Sequence, residues 1–134
     1  MPPTPPSQRE LQALKVLWHL GQASVRDVCD GINREGAELA YTTVLSLLQV
    51  MERKGLIGHV AQGKTYAYFA KVDREATLRD LAQGFLATVF DGALDEYLVH
   101  AIQGRPPSAG ELDRLEQQIA AARERLGSEK GETP

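Results

Sequence analysis

Cysteine is nearly absent from this chain: Cys29 is the only one in 134 residues. A lone thiol excludes an intramolecular disulfide and any metal site built on a cysteine cluster. There is also no run of about 18 apolar residues, the length a membrane-spanning helix needs. The opening MPPTPPSQ lacks the apolar core of a secretory signal. The expected location is therefore the cytoplasm, with no membrane partner. Catalytic signatures are missing as well: no HExxH, no glycine-rich phosphate loop and no serine-elbow context occurs. His19, His59 and His100 fall in different segments, and Asp27/Asp30 and Asp95/Glu96 read as solvated charges on helix faces. No enzyme activity, cofactor or metal is expected.

A strong charge of either sign is lacking too, since the net charge is −3. The balance is uneven along the chain. Residues 1–72 carry 8 Lys/Arg against 6 Asp/Glu, whereas residues 73–134 carry 7 against 12. The basic excess in the first half is small, so binding to an anionic partner there must rest on placed contacts and dimerisation. With 43% hydrophobic residues, the chain is rich enough in apolar side chains for an ordered core.

What is present is a sequence of caps and stripes. Four prolines in residues 1–6 form an extended arm, expected to be disordered. Ser7-Gln8-Arg9-Glu10 is a capping box, followed by Leu11, Leu14, Leu17 and Trp18 at helical spacing and stopped by Gly21. Ser24 caps a second helix with Val25, Val28, Cys29 and Ile32 as its stripe, Cys29 reading as a small core residue. A third begins near Ala40 or Tyr41 and carries Val44, Leu47, Leu48 and Met51. The period then changes to two β-rich runs, Leu56 to Ala61 and Thr65 to Ala70, around Gln62-Gly63-Lys64, which predicts a hairpin with Tyr66, Tyr68 and Phe69 in its core. Three helices and a hairpin make a winged helix-turn-helix. Beyond it, Leu78, Leu81, Phe85 and Val89 form one stripe, and Leu94, Leu98 and Ile102 a second. Leu112, Leu115 and Ile119 step at coiled-coil spacing after another capping box at Ser108. The fold class is mainly α with a small β-hairpin. The expected domains are a disordered arm (1–6), a winged helix-turn-helix (7–72), a helical dimerisation module (73–126) and a flexible tail (127–134).

The third helix poses the functional question. Thr42, Ser46, Gln49 and Arg53 step by 4, 3 and 4, opposite the apolar stripe. Hydroxyl and amide groups in such a row suit base edges in a major groove: Thr or Ser to several bases, Gln paired to adenine. Tyr41 and Thr43 flank the row, and Arg53 and Lys54 at its far end are placed for phosphates. Lys64, with Gln62 and His59, would meet phosphate or the minor groove from the hairpin tip, and Ser24 and Arg26 would face the backbone from the second helix. The alternative is a winged helix that binds a protein partner through the same surface.

AYTTVLSLLQVMERKGLI, followed by Gly63-Lys64-Thr65-Tyr66, resembles the BlaI/MecI/CopY family of penicillinase-type transcriptional repressors, over about residues 7–103. The resemblance implies a homodimer on a dyad-symmetric double-stranded operator, often with TACA/TGTA-type half-sites, held together by residues from Asp73 onward. In staphylococcal members a membrane sensor-protease triggers release by cutting an Asn-Phe bond. The equivalent place here falls near Ala101-Ile102, and no Asn-Phe pair occurs. Paired cysteines of the copper-responsive branch are also missing, and His59 stands where the family commonly has a basic residue.

Overall fold

The computed structural model describes residues 4–131. Among them the elements run α1 (Gln8–Leu20), α2 (Val25–Arg34), α3 (Tyr41–Arg53), β1 (Ile57–Gln62), β2 (Thr65–Ala70), α4 (Arg74–Val89), α5 (Leu94–Gly104) and α6 (Ala109–Gly131). Local chemistry explains most of these boundaries. The Glu10 N–H donates to the Ser7 hydroxyl at 3.2 Å while the Ser7 N–H donates to the Glu10 carboxylate at 2.8 Å, and Ser24 and Asp27 repeat the device at α2. Each box satisfies two amides that the first turn leaves without helical partners. Helix α1 stops where Gly21 takes φ +83°, its N–H returning to the Leu17 carbonyl.

One apolar cluster unites Leu14 and Leu17 of α1, Val28 and Ile32 of α2, and Val44, Leu48 and Met51 of α3 with Leu56, Ile57 and Tyr68. The α2–α3 turn is fixed by a side chain rather than by packing alone. The Asn33 amide donates to the Leu39 carbonyl at 2.9 Å and accepts from the Leu39 N–H at 2.8 Å. Cys29 is buried beside this lock, its sulfur 3.5 Å from the same carbonyl, as a small core residue. The antiparallel hairpin runs from Ile57 opposite Ala70 to Gln62 opposite Thr65, around a tight Gly63-Lys64 turn. Gly63 there has φ +63°, a conformation L side chains rarely adopt. The far edge of β2 exchanges two hydrogen bonds with Ala23, at 2.8 and 3.0 Å, which ties the hairpin to the α1–α2 connection. This is the winged helix-turn-helix that the sequence predicts.

Motif spacing predicts a division after residue 72, whereas compact packing divides the chain inside α4, between Phe85 and Leu86. The first three turns of α4 stay with the winged unit. Thr77 is buried, Leu81 lines a recess of about 80 Å³ with Leu56, Val72 and the arm residues Thr4–Pro6, and the Trp18 indole N–H donates to the Val72 carbonyl at 3.0 Å. The rest of the predicted arm, residues 1–3, lies outside the described residues.

In the second unit the end of α4 turns at Asp91 (φ +51°) and Gly92 (φ +84°). Ser108 and Glu111 form the expected capping box for α6, and Arg105 holds the Glu111 carboxylate in a two-pronged ion pair at 2.7 and 3.2 Å. That guanidinium, with the Ser108 N–H, holds the Glu111 carboxyl down at about 2. Helix α6 passes through Gly127 to Gly131 where the sequence predicts a flexible tail; residues 132–134 of that tail lie outside the described residues. A single helical glycine costs only about 1 kcal/mol relative to alanine, too little to end so long a helix. Among the described residues no helix is long and apolar enough to cross a membrane.

Two glycines test the packing with opposite signs. A Cβ on Gly31 would sit 2.7 Å from Val16 Cγ2 and 3.1 Å from Cγ1, whereas a Cβ on Gly84 meets nothing within 4 Å. Valine in a helix is nearly confined to one rotamer, so it cannot swing aside. Gly31→Ala should therefore destabilise by about 1 kcal/mol, with overpacking of about 1–3 kcal/mol outweighing the propensity gain. Gly84→Ala should stabilise by roughly 0.5–1 kcal/mol. A Gly31→Ala denaturation midpoint that rose along with that of Gly84→Ala would refute the α1–α2 contact.

Candidate nucleic-acid interface

Helix α3 is two-faced. Val44, Leu48 and Met51 are wholly buried, while Thr42, Thr43, Ser46, Gln49 and Arg53 are exposed. Among the described residues, none of those five side chains is tied up in a hydrogen bond or ion pair within the chain. Unlike α1 and α2, α3 starts after Ala40 with no side-chain cap, so protein groups leave the positive end of its dipole unquenched. At that end the Arg26 guanidinium lies 5.2 Å from the centre of the exposed Tyr41 ring, a cation–π contact linking the start of α2 to the start of α3. The Ser24 oxygen sits at the same end but is occupied by the α2 cap.

At the other end of α3 the hairpin closes a recess of about 520 Å³, lined by Gln49, Glu52, Arg53, His59, Tyr66 and Tyr68. His59 pairs in register with Tyr68, so both project from one face of the hairpin, as does Tyr66. The His59 ring lies 4.5 Å from that of Tyr66 and 5.6 Å from that of Tyr68, and its Nδ1 meets Glu52 Oε1 at 2.5 Å. Lys64 stands exposed at the turn, and the Gln62 amide lies 3.5 Å from the Gln22 side-chain oxygen.

Two expectations need correction. Tyr66 is not hairpin core. It is 53% exposed, against 4% for Tyr68, because it lies nearer the turn, past the Ala23 bridge that covers Tyr68. Burial raises the Tyr68 phenol above its ordinary range, and the Glu52 charge adds to this. Lys54 does not extend toward a phosphate: its ammonium lies 3.0 and 3.1 Å from the two carboxylate oxygens of Glu10, whose side chain is 3% exposed. A carboxylate so enclosed requires a charge partner more than open surface does. Burial alone would raise the Glu10 carboxyl, but contacts with Ser7 and the Lys54 ammonium outweigh it and hold it below the usual range. Sequence reasoning also passed over Glu52 and Asn33. The position of Glu52, one turn beyond Gln49 and facing the hairpin, was the available signal for the first; nothing marked Asn33 beyond its place at a helix end.

The second unit offers a different surface. Between residues 86 and 128 no side chain is buried. Val89, Leu94, Ile102, Leu112 and Ile119 are exposed, and Leu98 and Leu115, half-buried, line a cleft of about 380 Å³ between α5 and α6. In the first unit Phe85 is exposed while Leu78 and Leu81 are half-buried.

A family model described as penicillinase repressor matches residues 6–121. No curated protein sequence matches. Among solved structures, the solution structure of the DNA-binding domain of the repressor BlaI aligns over 55% of this chain and 90% of that one, with 23% identity and a TM-score of 0.48. A structure of the DNA-recognition and protein-interaction domains of HOP2 aligns over 44% of this chain and 92% of that one, with 27% identity and a TM-score of 0.40. The family match takes in the winged unit and most of the second one. This chain belongs to the penicillinase repressor family of DNA-binding transcriptional repressors.

Proposed function

We propose that two copies of the chain, joined through α4–α6, occupy a dyad-symmetric operator in the cytoplasm and block transcription. Each copy lays α3 in a major groove and its hairpin turn beside the backbone. The observation that carries this is the exposed row Thr42, Thr43, Ser46, Gln49 and Arg53 standing over a wholly buried stripe. A helix fits the major groove, and these side chains supply donors, acceptors and a methyl group for base edges. Arg26 and Tyr41 at one end, and Lys64 and Arg53 at the other, are placed to fix the register on phosphates. Dimerisation is supported by the second unit, where Val89, Leu94, Ile102, Leu112 and Ile119 are exposed within one chain and would gain burial across a two-fold axis. Half-sites should then be spaced by about one helical turn, or a multiple of it.

Titration of labelled duplexes selected from a random pool, at several salt concentrations, tests the reading. The logarithm of the association constant should fall linearly with log salt. Gln49→Ala or Thr43→Ala should lower discrimination between the selected duplex and a mutated one by about 1–3 kcal/mol. Lys64→Ala should weaken all duplexes alike and reduce the salt slope by about one unit. Weak binding insensitive to these substitutions would instead assign α3 to a protein partner.

A further inference from the structure

The recess between α3 and the hairpin holds one contact that the groove-reading scheme does not use. Glu52, an acidic residue, lies among side chains expected to approach a polyanion, and His59 of β1 touches its carboxylate at 2.5 Å. From the geometry we infer that Glu52 and His59 form a proton-dependent clasp, which sets the hairpin against α3 and makes DNA affinity rise as pH falls. The inference rests on the operator-binding reading.

The argument concerns charge at one place. With a neutral imidazole, Nδ1–H can still donate to Glu52, but the carboxylate keeps its full negative charge beside Gln49 and Arg53. That charge repels phosphate. With the imidazole protonated, the same contact becomes an ion pair and the negative charge of Glu52 is offset. The other groups facing the recess do not change charge in the physiological range. From α3 these are Arg53 and Glu52 itself, and from β2 the phenols Tyr66 and Tyr68. Guanidinium and phenol groups keep their charge state there, whereas imidazole is the side chain that titrates between about pH 5 and 8. Protonating the imidazole that touches Glu52 therefore favours DNA binding. Both partners of the pair are about one-third exposed, so the effect per protomer is modest. An exposed pair supports roughly three-fold, which two protomers on one operator compound to about ten-fold between pH 6 and pH 8.

The test is the affinity of the full-length protein for its selected duplex at pH 6 and pH 8, at fixed ionic strength. The variants compared are His59→Gln, His59→Arg and Glu52→Gln, with His19→Gln/His100→Gln as control. Wild type and control should bind about ten-fold tighter at pH 6. His59→Gln should be flat at the weak level and His59→Arg flat at the tight level. Glu52→Gln should be flat and, at pH 8, tighter than wild type, a gain that a purely structural role for Glu52 would not produce. A wild-type pH response surviving in His59→Gln or Glu52→Gln overturns the clasp. Loss of the response in the control transfers the protonation to another histidine and overturns it equally. Absence of duplex binding by the wild type at both pH values refutes the operator-binding reading itself.

Discussion

A chain ending at Phe85 should fold, sediment as a monomer and bind a two-half-site operator about 10²–10⁴ times more weakly than the full-length protein. The first half of this expectation follows from where the core lies. Among the described residues every wholly buried apolar side chain belongs to residues 13–68, and the buried Thr77 and the Leu81 recess complete the unit before residue 85. A cut at residue 72 is a worse experiment, because it strips the start of α4 from Leu56 and Val72 and exposes them. The second half follows from linkage. Two half-sites held on one dimer turn the second docking event into an intramolecular one, and a monomer loses that advantage without losing a base contact. Dimerisation of the shortened chain would contradict the placement of the interface, and an affinity within about ten-fold of the full-length value would mean that one protomer carries the binding.

The same cut addresses the acidic second half of the chain. Residues 73–134 carry 7 Lys/Arg against 12 Asp/Glu, an acidic excess that disfavours contact with DNA. Removing most of it lowers that repulsion in each protomer, so non-specific binding should fall less than operator binding does. A uniform loss on both kinds of duplex would point instead to damage in the winged unit.

Helix positions and the hairpin were legible in the sequence because they depend on short-range signals. The Ser7/Glu10, Ser24/Asp27 and Ser108/Glu111 boxes each span three residues, and the change from helical spacing to alternation after Gly55 announces the hairpin. The outward row on α3 was legible for the same reason, since i+3 and i+4 steps fix a face. The misses at Lys54 and Trp18 involve partners far apart in the chain. Lys54 finds Glu10 across 44 positions, and Trp18 finds the Val72 carbonyl across 54, separations at which no local pattern operates. Tyr66 was misplaced because Tyr-x-Tyr alternation puts both rings on one face. Only the fold decides that the bridge to Ala23 reaches one of them.

Leu48→Ala should be the most damaging single substitution on α3, and its sequence neighbour should behave in the opposite way. Leu48 is 0% exposed beneath the polar row, within the apolar cluster that α1, α2, α3 and the hairpin share. Truncating a leucine so placed removes its burial and leaves a cavity, at a cost of about 2–5 kcal/mol. Against a total stability on the order of 5–15 kcal/mol this is a large share. The melting temperature should drop by upwards of about 10 °C. DNA binding at a temperature where the variant is still folded should keep its sequence preference, because every base-facing group remains. Gln49, one residue on and about 100° around the helix, faces away from the core. Its alanine variant should melt within about 0.5 kcal/mol of wild type yet lose discrimination between duplexes. The pair thus separates folding from reading on adjacent residues of one helix. A Gln49 variant that melts early, or a Leu48 variant that stays stable but reads promiscuously, would mean that α3 is rotated about its axis and a different face enters the groove.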